Sequence, residues 1–447
     1  MSTTLAERTA APRSLTPPPA ALDRRALRFL TAGSVDDGKS TLIGRLLFDS
    51  RAILADQLDT LQARAGDAPI DLSLLTDGLE AEREQGITID VAYRYFATRQ
   101  RKFIIADAPG HEQYTRNMVT AAAGSDAAVV LVDITKLDLR TRPVALLPQT
   151  RRHTLLAQLL RVPGIVFAIN KLDAVDDPAA AYVAVRDALE TFAQQAGIEV
   201  AGIVPVSALR GDNVTRPLDV AWYRRPSLLQ LLESLPAASE PASDALSMPV
   251  QYVARQARDD TAAADGGIGD QRRTIWGRIA SGRVAPGDAV EVFPSGERAV
   301  VADVLLAGGA VDDAAAGQSV GLMLDRQLDV SRGDWITTPG STRPTQRFEA
   351  TLAWLDTEPA VVGRRYQVRH GNRWVQARIA AIESRLDIRT LASTSADSLA
   401  VNEIGKVVVE TQQPLPLAPY SSNRVAGALI VVDPTTHRTS GALLVSD

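Results

Sequence analysis

Apolar runs alternate with stretches of helical periodicity along the first half of the chain. The runs are continuous rather than interrupted by polar residues, which is the pattern of strands buried on both faces of a sheet. Two further runs, at 92–97 and 102–106, are close enough together to predict a hairpin. Strands that alternate with helices predict a mostly parallel sheet covered by helices. The buried strands are expected at residues 27–32, 127–132, 164–169 and 200–206.

The pattern changes in the second half of the chain. Residues 236–247 are small and polar and include proline, which is typical of a linker. Short β-rich runs separated by glycine turns follow, for example at 274–279 and 289–293. Their spacing predicts two small antiparallel barrels. The expected organisation is a flexible tail over 1–26, an α/β domain over 27–237, and β-barrel domains over 238–345 and 346–447.

The first buried strand is followed by Gly-Ser-Val-Asp-Asp-Gly-Lys-Ser, which matches the phosphate-loop pattern G-x-x-x-x-G-K-[ST] between a strand and a helix. Its glycines permit a turn whose backbone N–H groups cradle phosphates. Lys39 is expected to reach the β- and γ-phosphates, Ser40 to offer its hydroxyl to Mg²⁺, and Thr41 to contact the α-phosphate. The loop residues assigned to the nucleotide are Gly33, Ser34, Val35, Asp36, Asp37, Gly38 and Lys39.

A second motif, Asp-Ala-Pro-Gly-His, begins at Asp107 at the end of the hairpin. Ligands of open α/β sheets collect at the carboxyl ends of strands, so Asp107 is expected to hold Mg²⁺ through a water molecule. The Gly110 N–H is expected to bond the γ-phosphate and His111 to position the attacking water. Taken alone, the segment is equally consistent with a turn that caps a helix.

Thr88 lies in a charged segment before the hairpin. It is expected to complete the Mg²⁺ shell while the γ-phosphate is present and to release it after hydrolysis, which makes the segment a switch. The alternative is a solvated helix end that leads into a strand.

Two motifs at the ends of later strands favour a guanine base. The tetrapeptide Asn-Lys-Leu-Asp ends at Asp173, whose carboxylate can accept hydrogen bonds from guanine N1–H and the exocyclic amine. Adenine lacks this pair of donors, so the motif favours GTP over ATP. The tripeptide Ser-Ala-Leu after the last strand is expected to meet guanine O6 through backbone N–H groups. The residues assigned to the base are Asn170, Lys171, Asp173, Ser207, Ala208 and Leu209.

Composition narrows the classes of partner. The chain has no cysteine, which excludes disulfides and thiolate metal sites and suits a reducing cytoplasm. No apolar run approaches the roughly 18 residues that a membrane-spanning helix requires. The formal net charge of −5 leaves no overall basic surface for nucleic acid. We therefore expect a cytoplasmic protein that binds GTP and Mg²⁺, with no membrane or nucleic-acid partner.

The segment from Gly33 to Ser207 resembles the translation-factor superfamily of GTPases, whose members carry two small β-barrels after the nucleotide domain. Within it, residues 29–47, 77–96 and 102–118 look like the GTPase subunits of heterodimeric bacterial sulfate adenylyltransferases. The resemblance implies an α/β P-loop GTPase domain with a mostly parallel sheet, followed by two antiparallel barrels. It also implies GTP hydrolysis coupled to a catalytic adenylyltransferase subunit, which forms adenosine 5′-phosphosulfate and pyrophosphate from ATP and sulfate.

Some features depart from that family or leave alternatives open. The loop at 134–148 is longer than is usual in that family, and residues 256–273 look like an insertion early in the first barrel. Asp37 stands where elongation factors usually carry histidine, which argues against an elongation factor. No second P-loop is present, so adenylylsulfate kinase activity is not predicted. The first alternative is a translation-type GTPase acting on tRNA or the ribosome, which would bind RNA with strong salt dependence. The second is a GTP-binding regulator that does not hydrolyse GTP; it would lack the water-positioning group for which His111 is the candidate.

Overall fold

A computed structural model gives the three-dimensional structure of the chain. It describes residues 25–53, 58–59, 62–63, 70–75, 91–109, 115–237, 245–255, 273–307, 309–388 and 390–447. Most of the expected tail, most of the expected linker and nearly all of the expected insertion at 256–273 lie outside these ranges.

The first domain is built on a six-stranded sheet with the order β2-β3-β1-β4-β5-β6. All neighbours in it run parallel except β2, which pairs antiparallel with β3. The central strands β4 and β5 are buried at every position, as continuous apolar runs predict. The mostly parallel sheet is thereby confirmed. The strands are β1 Leu27–Ala32, β2 Ala92–Ala97, β3 Lys102–Asp107, β4 Ala127–Asp133, β5 Gly164–Asn170 and β6 Val200–Pro205.

Helices connect these strands, and local signals fix where several of them begin. Proline stands in the first turn of α3 and of α4, where no backbone N–H is required. Ser227 and Gln230 form a reciprocal capping box at the start of α5. The helices are α1 Lys39–Asp49, α2 Thr115–Ala123, α3 Pro148–Leu159, α4 Pro178–Ala196 and α5 Leu228–Ser234. Short 3₁₀ turns occupy Leu72–Leu75, Ile134–Lys136 and Leu172–Ala174.

The second domain is an antiparallel barrel. Six strands follow one another in the order β10-β15-β7-β8-β14-β11, and the pairing of β10 with β11 closes the ring. Its strands are β7 Ser247–Arg255, β8 Arg273–Arg278, β9 Arg283–Val284, β10 Ala289–Phe293, β11 Glu297–Leu306, β12 Gly309–Val311, β13 Ala314–Ala315, β14 Ser319–Leu324 and β15 Trp335–Thr337.

The third domain is a second antiparallel barrel. Its order is β18-β23-β24-β16-β22-β19, closed by the pairing of β18 with β19. Both barrels match the expected architecture. The strands are β16 Pro344–Trp354, β17 Ala360–Val361, β18 Arg365–His370, β19 Arg373–Leu386, β20 Ser393–Thr394, β21 Ser398–Leu399, β22 Ile404–Pro416, β23 Ala428–Val432 and β24 Thr439–Val445.

The third domain is bonded to the end of α3. The Tyr420 hydroxyl donates to the carbonyl of Leu160 at 3.0 Å, and the Arg161 guanidinium donates to the carbonyl of Tyr420 at 2.7 Å. Arg424 in turn donates to the carbonyl of Arg161 at 2.6 Å. These bonds attach the barrel to a helix of the first domain. None of the helices in the described part of the chain combines the length and apolarity needed to span a membrane.

The two barrels meet at a buried aromatic pair. The rings of Trp335 and His370 stack with their centroids 4.8 Å apart, and both residues are fully buried. The His370 Nε2–H donates to the carbonyl of Ala426 at 2.9 Å. Burial lowers the pKa of His370 to about 4. This histidine is therefore neutral at physiological pH.

Candidate functional site

The expected nucleotide residues that the structure describes lie at one edge of the parallel sheet, where the strands end. The loop after β1 turns tightly before α1, and Gly38 has a φ of +92°. A Cβ atom on Gly38 would lie 2.4 Å from the Asn170 Nδ2. Glycine is needed at this position both for the backbone conformation and for the close approach of Asn170.

The Lys39 side chain folds back over the loop that precedes it. Its Nζ donates to the carbonyls of Gly33 at 2.9 Å and Ser34 at 2.8 Å. Burial lowers the pKa of Lys39, while the nearby carboxylates of Asp107 and Asp37 act in the opposite direction. The Lys39 ammonium is therefore a desolvated hydrogen-bond donor held against the carbonyls of the loop that precedes it.

Asn170 joins the phosphate loop to the base loop. Its Nδ2 donates to the carbonyl of Asp37 at 2.8 Å, and its Oδ1 accepts from the Ala208 N–H at 2.9 Å. The side chain is buried, so both bonds are shielded from water. One amide thus sets the distance between two loops that are far apart in sequence.

The Ser-Ala-Leu loop is held from below by α1. The Arg45 guanidinium donates to the carbonyls of Ala208 at 3.4 Å and Leu209 at 2.7 Å. The Ser207 N–H donates to the carbonyl of Asp212 at 3.1 Å, and the Ala208 N–H is taken by Asn170. Within this tripeptide, which the structure describes in full, no such bond engages the amide of Leu209. Of the three amides predicted to face the base, that of Leu209 is therefore the one not already engaged in the folded loop.

Asp173 follows Asn170 and Lys171 on a short 3₁₀ turn. Its carboxylate is largely buried, with 14% of the side chain exposed, and lies 3.7 Å from the Arg210 Nε. Lys171 adopts a left-handed backbone with φ of +64°. Its Nζ forms an ion pair with Asp133 at 2.7 Å.

Two oxygen donors lie where the sequence predicts a magnesium site. Asp107 ends β3 and is buried; its Oδ1 accepts from the Thr31 hydroxyl at 3.3 Å. Ser40 and Thr41 are in the first turn of α1. Carboxylate and hydroxyl oxygens are the hard ligands that Mg²⁺ prefers. Among the residues that the structure describes, no group of three or more His, Cys, Asp or Glu side chains could hold a metal ion.

Three predicted residues fall outside the described part of the chain. They are Thr88, Gly110 and His111. Their assignment to the switch, the γ-phosphate and the attacking water stays a prediction.

Two further residues that connect the loops, Lys136 and Asp133, were not predicted from the sequence. Lys136 Nζ donates to the Asp37 Oδ1 at 2.8 Å, and Asp133 binds Lys171 as described above. The signal for Asp133 was its position at the end of a fully apolar run, the same position that drew attention to Asp107. The signal for Lys136 was the unusual Asp37, since a buried carboxylate beside a phosphate site requires a cation.

The chain is similar to known proteins along most of its length. Residues 24–239 match the family model described as Elongation factor Tu GTP binding domain, and residues 347–446 match one described as GTP-eEF1A C-terminal domain-like. Sulfate adenylyltransferase subunit 1 of Laribacter hongkongensis is 44% identical over 427 residues, which cover 94% of this chain and 85% of that protein. The corresponding protein of Chromobacterium violaceum is 43% identical, with the same two coverages. The Bifunctional enzyme CysN/CysC of Mycobacterium tuberculosis is 43% identical over 94% of this chain and 67% of its own length.

Proposed function

The chain belongs to the family of sulfate adenylyltransferase subunit 1 proteins, and from that premise we propose that it is the GTP-hydrolysing subunit of a sulfate adenylyltransferase. The observation that supports this most directly is the Asn170 side chain, which holds the phosphate loop and the base loop in one site. A connection between these two loops supports a site that takes a whole nucleotide rather than phosphate alone.

The polyphosphate of GTP is assigned to the loop after β1. Lys39 currently bonds two neutral carbonyls, at 2.9 and 2.8 Å. Phosphate oxygens are stronger acceptors for an ammonium because the bond is assisted by charge. The N-terminus of α1 adds its positive end to the same place. Lys39 therefore moves from the loop carbonyls to the β- and γ-phosphates when GTP binds.

The base is assigned to the loops after β5 and β6. The Asp173 carboxylate accepts from guanine N1–H and the exocyclic amine, while the Leu209 N–H donates to O6. Asn170 and Arg45 hold these two loops in place through backbone groups. An adenine base would leave the Asp173 carboxylate without its two donors, and that mismatch discriminates against ATP.

Mg²⁺ is assigned to Ser40 directly and to Asp107 through water, with Thr88 joining in the GTP state. When bound, the ion neutralises charge on the β- and γ-phosphates. Ser40 and Asp107 would supply oxygen ligands for the ion, and the bond from the Thr31 hydroxyl holds the Asp107 carboxylate. His111 is assigned to orient the water that attacks the γ-phosphate, and the Gly110 N–H to bond that phosphate.

The partner is a second subunit that carries the adenylyl transfer. There, a sulfate oxygen attacks the α-phosphorus of ATP and displaces pyrophosphate, which yields adenosine 5′-phosphosulfate. This mixed anhydride is formed uphill, so coupling to GTP hydrolysis on this chain supplies driving force. The bonds from Tyr420 and Arg424 to the end of α3 give the nucleotide domain a direct mechanical link to the third domain.

The test is GTP turnover by this chain mixed with an adenylyltransferase subunit, with and without ATP plus sulfate. Complex formation is checked first by size-exclusion chromatography, and the Lys39→Ala chain serves as the matched inactive control. Stimulation of GTP turnover that requires both ATP and sulfate supports the proposal. If the complex forms but its GTP turnover does not depend on ATP and sulfate, the proposal is overturned. Salt-sensitive RNA binding would then favour the translation-type alternative.

A further inference from the structure

A lysine outside the nucleotide motifs, Lys136, forms hydrogen bonds with the phosphate loop. Lys136 Nζ donates to the Asp37 Oδ1 at 2.8 Å and also to the carbonyl of Val35. The other oxygen of the same carboxylate accepts from the Ser34 N–H at 2.6 Å. One carboxylate and one ammonium therefore link three residues of the phosphate loop, Ser34, Val35 and Asp37.

The charge on Asp37 makes this contact consequential. Its side chain is fully buried, whereas the Lys136 side chain is 31% exposed. A buried carboxylate without a cation destabilises its surroundings strongly. Here it also lies in a loop whose ligand is a polyphosphate anion, so an unpaired Asp37 would repel that ligand. Lys136 removes both penalties at one position.

Lys136 stands on a firmly held turn. The Asp133 Oδ1 accepts from the Thr135 N–H at 2.9 Å and from its hydroxyl at 2.6 Å, which caps the 3₁₀ turn that ends at Lys136. Burial acts to raise the pKa of Asp133, but hydrogen bonds from Lys171 and Thr135 outweigh it, so that pKa lies below its usual value. Asp133 therefore stays ionised and keeps the turn in place.

The strand order explains why this turn reaches both neighbours. Strand β4 lies between β1 and β5 in the sheet. Its following turn is therefore between the phosphate loop after β1 and the Asn-Lys-Leu-Asp loop after β5. The chain of contacts from Asp37 through Lys136 and Asp133 to Lys171 follows that order across the edge of the sheet.

We propose that Lys136 is a positioning residue for guanine nucleotide: paired with Asp37, it holds the phosphate loop in its binding conformation and cancels the repulsion between that carboxylate and the phosphates. The inference rests on the proposed function, since it concerns the same nucleotide site. It goes beyond that function by assigning nucleotide retention to a pair outside the usual motif contacts.

The experiment measures dissociation of a fluorescent GDP analogue from the full chain by stopped flow, chased with excess GDP. The variants are Lys136→Met, Asp37→Asn and the double variant, with Lys102→Met as a control that removes an exposed lysine of the same domain. We expect Lys136→Met to speed dissociation about tenfold, within the range measured for coupled pairs. Lys102→Met is expected to stay within twofold of the wild type.

The double variant separates positioning from general damage. In it the amide oxygen introduced by Asp37→Asn still accepts from the Ser34 N–H, and no buried charge is left unpaired. We therefore expect it to dissociate GDP more slowly than the product of the two single effects requires. Thermal melting of each variant tests folding. If Lys136→Met does not fold, the double variant is compared with Asp37→Asn: once the carboxylate is gone, removing Lys136 is expected to change GDP dissociation by less than about twofold, and a tenfold effect there overturns the proposal.

The outcomes keep the two proposals apart. A wild-type chain that binds no guanine nucleotide overturns the proposed function itself. A wild type that binds, with Lys136→Met unchanged, overturns the role of Lys136 alone. Strictly multiplicative effects in the double variant also overturn it, because they would mean that Lys136 acts independently of Asp37.

Discussion

Replacing Asn170 with alanine tests the most central contact of the site. The substitution removes two hydrogen bonds, one to the Asp37 carbonyl at 2.8 Å and one from the Ala208 N–H at 2.9 Å. Stranding a buried polar group costs about 1–3 kcal/mol. Two such groups give a loss of folding stability of about 4 kcal/mol, the middle of the additive range of about 2–6 kcal/mol.

Only part of that loss of stability is expected to appear as weaker nucleotide binding. Ala208 is buried, so its amide lacks a partner in the free and the nucleotide-bound variant alike, and that loss cancels from the binding free energy. The Asp37 carbonyl belongs to the phosphate loop, and GDP has to reorder it. We expect this to weaken GDP binding by about 1.5 kcal/mol, which is about tenfold.

Asn213 provides a matched control. It is equally buried, donates from Nδ2 to the Pro205 carbonyl at 2.8 Å and accepts from the Leu218 N–H at 2.9 Å. Its alanine variant loses the same chemistry without touching the phosphate loop. It also retains a left-handed backbone with φ of +57°, which alanine tolerates poorly.

The assay combines calorimetric titration with GDP and urea unfolding of both variants. We expect Asn213→Ala to lose at least as much stability as Asn170→Ala but to keep GDP affinity within about twofold, well under the 1.4 kcal/mol that a tenfold change represents. If Asn170→Ala binds GDP as tightly as the wild type while losing stability, the Asn170 side chain stabilises the fold but does not position the phosphate loop for nucleotide.

Four further outcomes are expected. Lys39→Ala should weaken GTP binding at least about 100-fold, because charged bonds to phosphate contribute about 1.5–3 kcal/mol each; titration with GTP checks this. Asp173→Asn should shift preference toward xanthine nucleotides, measured by competition between GTP and XTP. His111→Ala should slow single-turnover GTP hydrolysis at least about tenfold while binding is retained; lost binding would make the residue structural. His370 takes up a proton below about pH 6.5 in the unfolded state but only near its pKa of about 4 in the folded state. The folded state therefore loses stability as the pH falls from 6.5 toward 4. His370→Phe should therefore lose about 2 kcal/mol less than the wild type between pH 7 and pH 5, as followed by tryptophan fluorescence in urea.

The motifs and apolar runs along the chain predict both the fold class, which the structure confirms, and the chemistry of the candidate site. The glycines, Lys39 and Ser40 of the phosphate loop lie within eight consecutive residues, and their spacing between an apolar run and a helix carries the prediction without any distant contact. Continuous apolar runs likewise identified buried strands, because a parallel sheet hides both of its faces. Asp173 was assigned to the base from the pattern of donors on guanine alone.

The tertiary structure decided which residues hold those motifs in register. Asp37 and Lys136 are 99 positions apart, and Arg161 and Tyr420 are separated by 259. No local spacing reports such pairs, since they depend on the order of strands in the sheet and on where a barrel docks. The Ser207 amide, expected to face the base, is already bonded to the Asp212 carbonyl. The folded loop decides which backbone N–H groups already have a hydrogen-bond partner. The sequence alone could therefore not show which of them is available to a ligand.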